Sequence, residues 1–331
     1  MIDDIRLTYL ALSEAPSPGG DSLVIRELGD SGGLFLGLDA DRHQHLLLVH
    51  DGDLPELGLM TLTATLRILD VAGRPVRFID IESRLEALAE VFEHFILAVS
   101  RQLEAERSSP AQVVESVLER WHLFLSSDGP PPSRDKLAAL FGELLVLLDV
   151  VRADPHRRVD VWGGPSGSRH DFRRGSIAVE VKATRSHTSR IVTIHGDDQL
   201  EEPTGGTLFL HFIRLEEAAG SGRSVPSIVD ELLALGASAE DLFTALARVG
   251  VPVAQLAQVS DVMFEVRERL TFPVDERAPR IVPSSFKRDE RPLGVVDVRY
   301  QIDLDHVLEN ALDLREYVDV VNSLAAGGSH D

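Results

Sequence analysis

Residues 169–184 read Arg-His-Asp-Phe-Arg-Arg-Gly-Ser-Ile-Ala-Val-Glu-Val-Lys-Ala-Thr, and the fold turns on this stretch. Its second half alternates. Ile177, Val179, Val181 and Ala183 share one face, and Ala178, Glu180, Lys182 and Thr184 share the other. That pattern predicts a strand over Ser176–Thr184, with a tight turn just before it. On such a strand Glu180 and Lys182 project from the same face, and the turn brings Asp171 back beside Glu180. A Glu and a Lys two residues apart are also what a plain ion pair looks like, so the pair by itself assigns no chemistry.

Upstream, residues from Arg134 to about Val151 are apolar nearly all round between Leu140 and Val150, which predicts a buried helix. Glu143 interrupts it. A carboxylate inside an apolar helix costs several kcal/mol unless it is paired or bound to a metal. The order is therefore an acid on a helix, then Asp171, then Glu180-Val181-Lys182. Two hard oxygen donors facing one point suit Mg²⁺, which takes one or two carboxylates and keeps several waters. A lysine beside them can position or deprotonate water, and the ion polarises a phosphorus-bound oxygen. Short strands are expected at Arg158–Trp162 and Arg169–Phe172, and further strands at Arg190–Ile194 and Thr207–Leu215. His195 and Gln199 follow the first of these later strands, and either face the site or serve surface and structural roles.

Charge gives a mixed signal. The 331 residues carry 33 Lys+Arg against 54 Asp+Glu, a net charge of −21, which argues against nucleic acid at first sight. Between Arg152 and Arg190, however, nine basic residues stand against four acidic ones. This basic island, with Arg157, Arg158, Arg169, Arg173, Arg174, Arg185 and Arg190, supplies candidate phosphate contacts; its bland alternative is chance clustering on a solvated face. The apolar fraction of 44% supports a sizeable core. The chain has no cysteine, which excludes disulfides, thiolate-bound zinc, iron–sulfur clusters and a thiol nucleophile. The N-terminal MIDDIRLTYL lacks the apolar stretch of a signal peptide, and no run approaches a membrane span. A cytoplasmic protein is expected.

At roughly 150 residues per domain, the length suits about two or three domains. The first ~80 residues read as antiparallel strands near Gly33–Leu38, Leu46–Val49, Leu62–Leu69 and Val76–Ile81, with turns at Asp51-Gly52 and Ala72-Gly73. Helices follow from about Arg84 to Glu106 and after Ser109-Pro110. The Pro-rich stretch Ser126–Arg134 is the clearest boundary. The division expected is a strand-rich region with helices over 1–128, a core over 129–216 and a mostly helical region over 217–331. In the last, Asp261–Leu270 fits helix or strand, and the residues from Gly327 read as a frayed tail.

Other motifs are bland. The histidines show no helical metal spacing, and His43 and His45 alternate on a probable strand as an ordinary exposed pair. Trp162 is expected as a core or turn anchor. Gly163-Gly164-x-x-Gly167 is no phosphate loop, since no Lys-Ser/Thr follows.

Phe141-Gly142-Glu143-Leu144, His170-Asp171-Phe172 and Val179-Glu180-Val181-Lys182-Ala183-Thr184 together resemble the PD-(D/E)XK nuclease superfamily. The likeness extends to Gln199, where some members carry a glutamine after the following strand. The chain further looks like a bacterial family of uncharacterised PD-(D/E)XK proteins often associated with restriction and phage-defence loci. The resemblance implies an α/β (α+β) chain with a restriction-endonuclease-like core, a mixed central sheet flanked by helices. It further implies Mg²⁺-dependent hydrolysis of DNA phosphodiester bonds, with Mn²⁺ as a substitute ion. By that carry-over Asp171 and Glu180 are metal ligands, Lys182 orients or activates the water, and Glu143 is a helix-borne auxiliary acid and ligand. His170 stands where the superfamily motif has proline.

Three functions compete. They are an endonuclease of a bacterial defence system, a nuclease-like module that binds nucleic acid or a partner without turnover, and a structural subunit whose acidic flanks dock a basic partner. The intact set Asp171, Glu180 and Lys182 favours the first. DNA is the expected partner, and the flanking regions are candidates for sequence recognition, homodimerisation, or contact with an ATPase or methyltransferase subunit.

Overall fold

The computed structural model describes residues 1–20, 22–29, 33–53, 62–83, 89–105, 108–125, 130–218, 220–289 and 291–326. The start of the helix expected from Arg84, the first part of the Ser126–Arg134 boundary and the tail from Gly327 lie outside the described residues. The chain divides into two compact units, Met1–Asp128 with Pro252–Ala254, and Gly129–Val251 with Gln255–Asp331. Among the described residues no helix is long and apolar enough to cross a membrane.

The first unit opens with helix α1 (Ile2–Ser13), which the strand reading of this region missed. Its signal is modest: Asp3 and Asp4 favour the N-terminal end of the helix dipole, and Ile5, Tyr9 and Leu12 bury one face. Strands β1 (Val24–Glu27), β2 (Leu34–Leu38), β3 (Gln44–Val49), β4 (Leu62–Val71) and β5 (Arg74–Ser83) follow. They form an antiparallel sheet in the order β1-β2-β3-β5-β4. The β4–β5 turn is the expected Ala72-Gly73, with both residues at positive φ. Helices α2 (Ala89–Ala105) and α3 (Pro110–Leu125) complete the unit, with Phe95 and Trp121 packed edge to face.

The second unit begins with α4 (Arg134–Ala153), whose Ser133 side chain caps the Lys136 N–H. Then come β6 (Phe172–Arg174), β7 (Ile177–Thr184), β8 (Ile191–His195), β9 (Thr207–Glu217), β10 (Arg223–Ser224), α5 (Val225–Ala234), α6 (Ala239–Arg248), β11 (Met263–Pro273), β12 (Arg299–Asp303) and α7 (Leu314–Ala325). The central sheet runs β10-β11-β9-β7-β6; β7 and β9 are parallel and every other pair is antiparallel. Strands β8 and β12 form a separate pair. A mixed sheet flanked by helices is the restriction-endonuclease-like architecture that the motifs imply.

Three local expectations change. Arg158–Trp162 is not a strand; only Trp162 bridges to Phe172. Of the expected strand Arg169–Phe172 only Phe172 is in one, at the start of β6. The ambiguous Asp261–Leu270 resolves as strand β11, because β9 offers it a partner edge from Glu217 to Phe209. The sequence reading divides the second unit after residue 216 and makes the rest mostly helical; the sheet runs across that division, since β11 lies directly beside β9.

Helix α4 covers one face of this sheet. A Cβ on Gly142 would stand 3.1 Å from the Ala183 Cβ and 3.6 Å from Val181 Cγ1, so the missing side chain lets helix and strand approach closely. A second apolar layer joins Ala178, Leu208, Leu210 and Phe212 to Val192, Ile194, Leu200, Phe272 and Ile302. The Gly142 contact carries α4 close over β7, and with it Glu143.

Candidate active site

Three elements bring the acidic residues together. Glu143 projects from α4, and its Oε2 accepts a hydrogen bond from the indole Nε1 of buried Trp162 at 2.7 Å. Asp171 ends the approach to β6. Its Oδ2 accepts from the Val181 N–H at 2.8 Å, which fixes the carboxylate against β7. Its backbone carbonyl accepts from the N–H groups of Gly163 and Gly164 at 2.8 and 3.1 Å. A Cβ placed on Gly164 would lie 3.1 Å from Asp171 Oδ1 and 3.4 Å from Glu143 Oε2, so both carboxylates border the same glycine.

Glu180 sits in the middle of β7, 1% exposed. Its Oε1 accepts from Lys182 Nζ at 2.7 Å, as the same-face register requires. Its Oε2 is buried with no hydrogen-bond partner. Lys182 Nζ also donates to Gln199 Oε1 at 3.1 Å, and that oxygen accepts from the His195 N–H at 2.9 Å. Gln199 is thus tied to the lysine. His195 contributes its backbone, while its side chain is exposed. His170, in the place of the motif proline, is buried with Nε2 3.0 Å from the Glu201 carbonyl oxygen, a structural role.

The electrostatics are out of balance. Burial, reinforced by the charge of Asp171, pushes the Glu143 carboxyl up to about 8. Burial and the same neighbour push Glu180 up to about 8, and burial raises Asp171 as well. Lys182 is the one cation that lowers all three. Three carboxyl groups around one ammonium, with Glu180 fully buried and its Oε2 unpartnered, fit a divalent cation, which would restore the balance and occupy Glu180 Oε2.

Glu143, Asp171 and Glu180 do not form a tight three-donor set. Among the described residues the sets whose donor atoms all lie within 4.8 Å of one another are Asp39, Asp41 and His43, and Asp39, His45 and Glu82, in the first unit. The looser spacing at the carboxylate site suits an ion that keeps several waters.

The basic island is less free than its sequence suggests. Arg158 pairs with Asp154, Arg169 with Glu201, Arg174 with Asp160, Arg185 with Asp135 and Glu217, and Arg190 with Glu268 and Asp305. Arg157 donates to the carbonyls of Val151 and Arg152 at the end of α4. Arg173 is exposed and, among the described residues, has no such partner.

Sequence reasoning missed Trp162 and Gly164 as parts of the site. Trp162 was expected as an anchor, which it is, but its N–H is spent on Glu143. The available signal was a tryptophan and two glycines in the turn directly ahead of Asp171.

A family model, DUF4420, described as "Putative PD-(D/E)XK family member", matches residues 9–305. No curated protein and no solved structure matches the chain.

Proposed function

Since the chain belongs to the DUF4420 family of PD-(D/E)XK type, we propose that it is a divalent-metal-dependent endonuclease that hydrolyses DNA phosphodiester bonds. The observation that carries this reading is the unpartnered, buried Glu180 Oε2 beside Lys182, in a site whose carboxyl groups are all pushed upward. PD-(D/E)XK nucleases typically use divalent metals. Here Asp171 and Glu180, with Glu143 beside them, would hold Mg²⁺ or Mn²⁺, and that ion would supply Lewis-acid stabilisation of charge developing on the phosphoryl oxygens.

The chain's own residues do the rest. Lys182 Nζ, held between Glu180 and Gln199, positions the attacking water. Hydrolysis forms one P–O bond from that water and breaks one P–O bond to the leaving nucleotide oxygen, which takes up a proton. Trp162 and the Val181 N–H keep Glu143 and Asp171 in orientation before the ion arrives. Arg169 and Arg185, whose partners Glu201, Asp135 and Glu217 are exposed, exchange them for phosphates at little cost, because surface ion pairs contribute about 0–1 kcal/mol each. The likeness of the motif set extends the proposal to a role in a bacterial restriction or phage-defence system.

The test is cleavage of supercoiled plasmid, and of single-stranded RNA in parallel, with Mg²⁺, Mn²⁺ or EDTA. Metal-dependent nicking or linearisation is expected, lost in Asp171→Asn and Glu180→Gln. Retained cleavage in both variants would remove this site from the chemistry. Tight DNA binding without cleavage under any metal would instead favour the non-catalytic binding module. Cleavage of RNA alone would correct the substrate.

A further inference from the structure

A second set of potential ligands lies in the first unit, outside the site above and independent of its reading. Register pairs His45 on β3 with Glu82 on β5, and Leu47 with Asp80. Strand alternation therefore puts His45, Asp80 and Glu82 on one face. The pair His43 and His45, expected to be exposed, is not: His45 is 1% exposed. Its Nδ1 lies 2.7 Å from Asp80 Oδ1, and Asp80 Oδ2 accepts from Arg67 Nε at 2.6 Å. A carboxylate that accepts on both oxygens leaves the imidazole proton on Nδ1. The Nε2 lone pair then points away from Asp80, buried and without a hydrogen-bond partner.

What faces that nitrogen is negative. Asp39 Oδ2 is 3.8 Å from His45 Nε2, and the donor atoms of Asp39, His45 and Glu82 all lie within 4.8 Å of one another. His43 Nδ1 stands 2.9 Å from Asp39 Oδ2 and 3.6 Å from Glu82 Oε1. Asp39 Oδ1 is already used by the His43 N–H at 2.8 Å, which orders the turn and leaves Oδ2 toward the group. Around a tetrahedral ion with arms of about 2.0–2.1 Å, neighbouring ligand atoms are separated by about 3.3 Å. The 3.8 Å between His45 Nε2 and Asp39 Oδ2 lies near that value.

The geometry points to a zinc site, in which Asp39, His45 and Glu82 bind Zn²⁺ and Asp80 orients His45 from behind. Imidazole donors favour Zn²⁺ over Mg²⁺, and an imidazole backed by a carboxylate is the usual setting of a ligating histidine. Three protein donors make a centre whose fourth position is left to water. It would fasten the turn after β2 and the start of β3 to the end of β5.

The test uses the full chain, stripped with a chelator and titrated with Co²⁺ and then Zn²⁺. One equivalent of Co²⁺ should give the visible absorption bands of a four-coordinate ion, displaced by Zn²⁺ and not by Mg²⁺. Asp39→Asn and Glu82→Gln alter partly exposed groups and should weaken Zn²⁺ binding at least tenfold with the circular dichroism unchanged. Asp80→Asn keeps every ligand and should still weaken it about 10–100-fold. Asp171→Asn should leave the Co²⁺ spectrum untouched. Absence of the bands in the wild type overturns the site and leaves His45 a buried structural partner of Asp80. Bands that vanish in Asp171→Asn and persist in Asp39→Asn and Glu82→Gln overturn it equally, by moving the ion to the carboxylate site.

Discussion

The indole N–H of Trp162 donates to Glu143 Oε2 at 2.7 Å, joining the turn ahead of Asp171 to the middle of α4. Without that bond, an acid on a buried helix face would have no neutral group to fix its orientation. The bond also draws the Trp162–Gly164 turn over the carboxylates, so that Gly164 borders both Asp171 and Glu143.

Trp162→Phe keeps an aromatic ring in the core and removes the donor. Glu143 should then sample other rotamers, with a stability cost of about 1–3 kcal/mol for the lost partner. We expect metal affinity and cleavage to fall roughly tenfold or more while the fold persists. Thermal melts beside plasmid cleavage check this, and cleavage at the wild-type rate would show that Glu143 needs no fixed orientation.

Gly164→Ala adds one methyl where Asp171 Oδ1 would be 3.1 Å and Glu143 Oε2 3.4 Å away. Its backbone is not in the left-handed region, so alanine should fold there without strain. Metal binding should weaken with almost no change in melting temperature. A variant that binds Mn²⁺ as tightly as wild type in a calorimetric titration would mean that the carboxylates can move aside.

The chemistry was legible where local pattern and burial agree. Alternation over Ile177–Thr184 fixed β7 and the common face of Glu180 and Lys182, and the unbroken apolar run around Glu143 fixed α4 as buried. The mixed sheet and flanking helices also came through, by way of the motif resemblance. Legibility failed where partners are distant in sequence. The +5 balance of the basic island ignored Asp135, Glu201, Glu217, Glu268 and Asp305, which all lie outside the counted window and pair with its arginines. Asp261–Leu270 fits either period, and only the β9 edge decides it. His45 looked like any exposed strand histidine because Asp80, its buried partner, stands 35 residues away.

Stability of the metal-free protein should fall with rising pH. In the folded chain Glu143 and Glu180 hold their protons up to about 8, whereas unfolded glutamates titrate near 4.3. Between those values the folded state binds more protons than the unfolded one, so its stability decreases from about pH 4.5 to about pH 8. The loss should be on the order of a few kcal/mol, and Mg²⁺ should reverse it at pH 8 but not at pH 5. Urea denaturation in EDTA and in Mg²⁺ at both pH values measures this; a flat profile in EDTA would show that the carboxyl groups are neutralised by other means.

Arg173→Glu should weaken DNA binding and reduce the salt slope by about one unit, because Arg173 is the exposed member of the island without a carboxylate partner among the described residues. Arg190→Glu should act differently. It sets a third acid against Glu268 and Asp305, and stability should drop along with affinity. Fluorescence anisotropy over a salt series separates the two, and identical slopes for wild type and Arg173→Glu would remove Arg173 from the DNA interface.

Lys182→Ala separates catalysis from binding. Nζ contacts Glu180 Oε1 at 2.7 Å and Gln199 Oε1 at 3.1 Å, so its loss removes the one ammonium that lowers all three acidic groups. Glu180, already raised to about 8, should rise further and stay protonated near neutrality, which spares the fold an unpaired buried charge. Cleavage should then fall by about 10²–10⁴-fold, the usual contribution of a positioned proton-transfer or water-orienting group. DNA affinity should stay within a few-fold, since one phosphate contact at most is lost among several arginines. Gln199→Ala leaves the ammonium in place and removes its second tether, together with the acceptor of the His195 N–H. It should give a smaller rate loss, with the cleavage pH profile shifted as Lys182 leans wholly on Glu180. The measurements are single-turnover cleavage in Mg²⁺ across pH and a binding titration in Ca²⁺. Equal cleavage by wild type and Lys182→Ala would exclude the lysine from the reaction, and a Gln199→Ala profile superimposable on wild type would reduce Gln199 to a structural link to the His195 backbone.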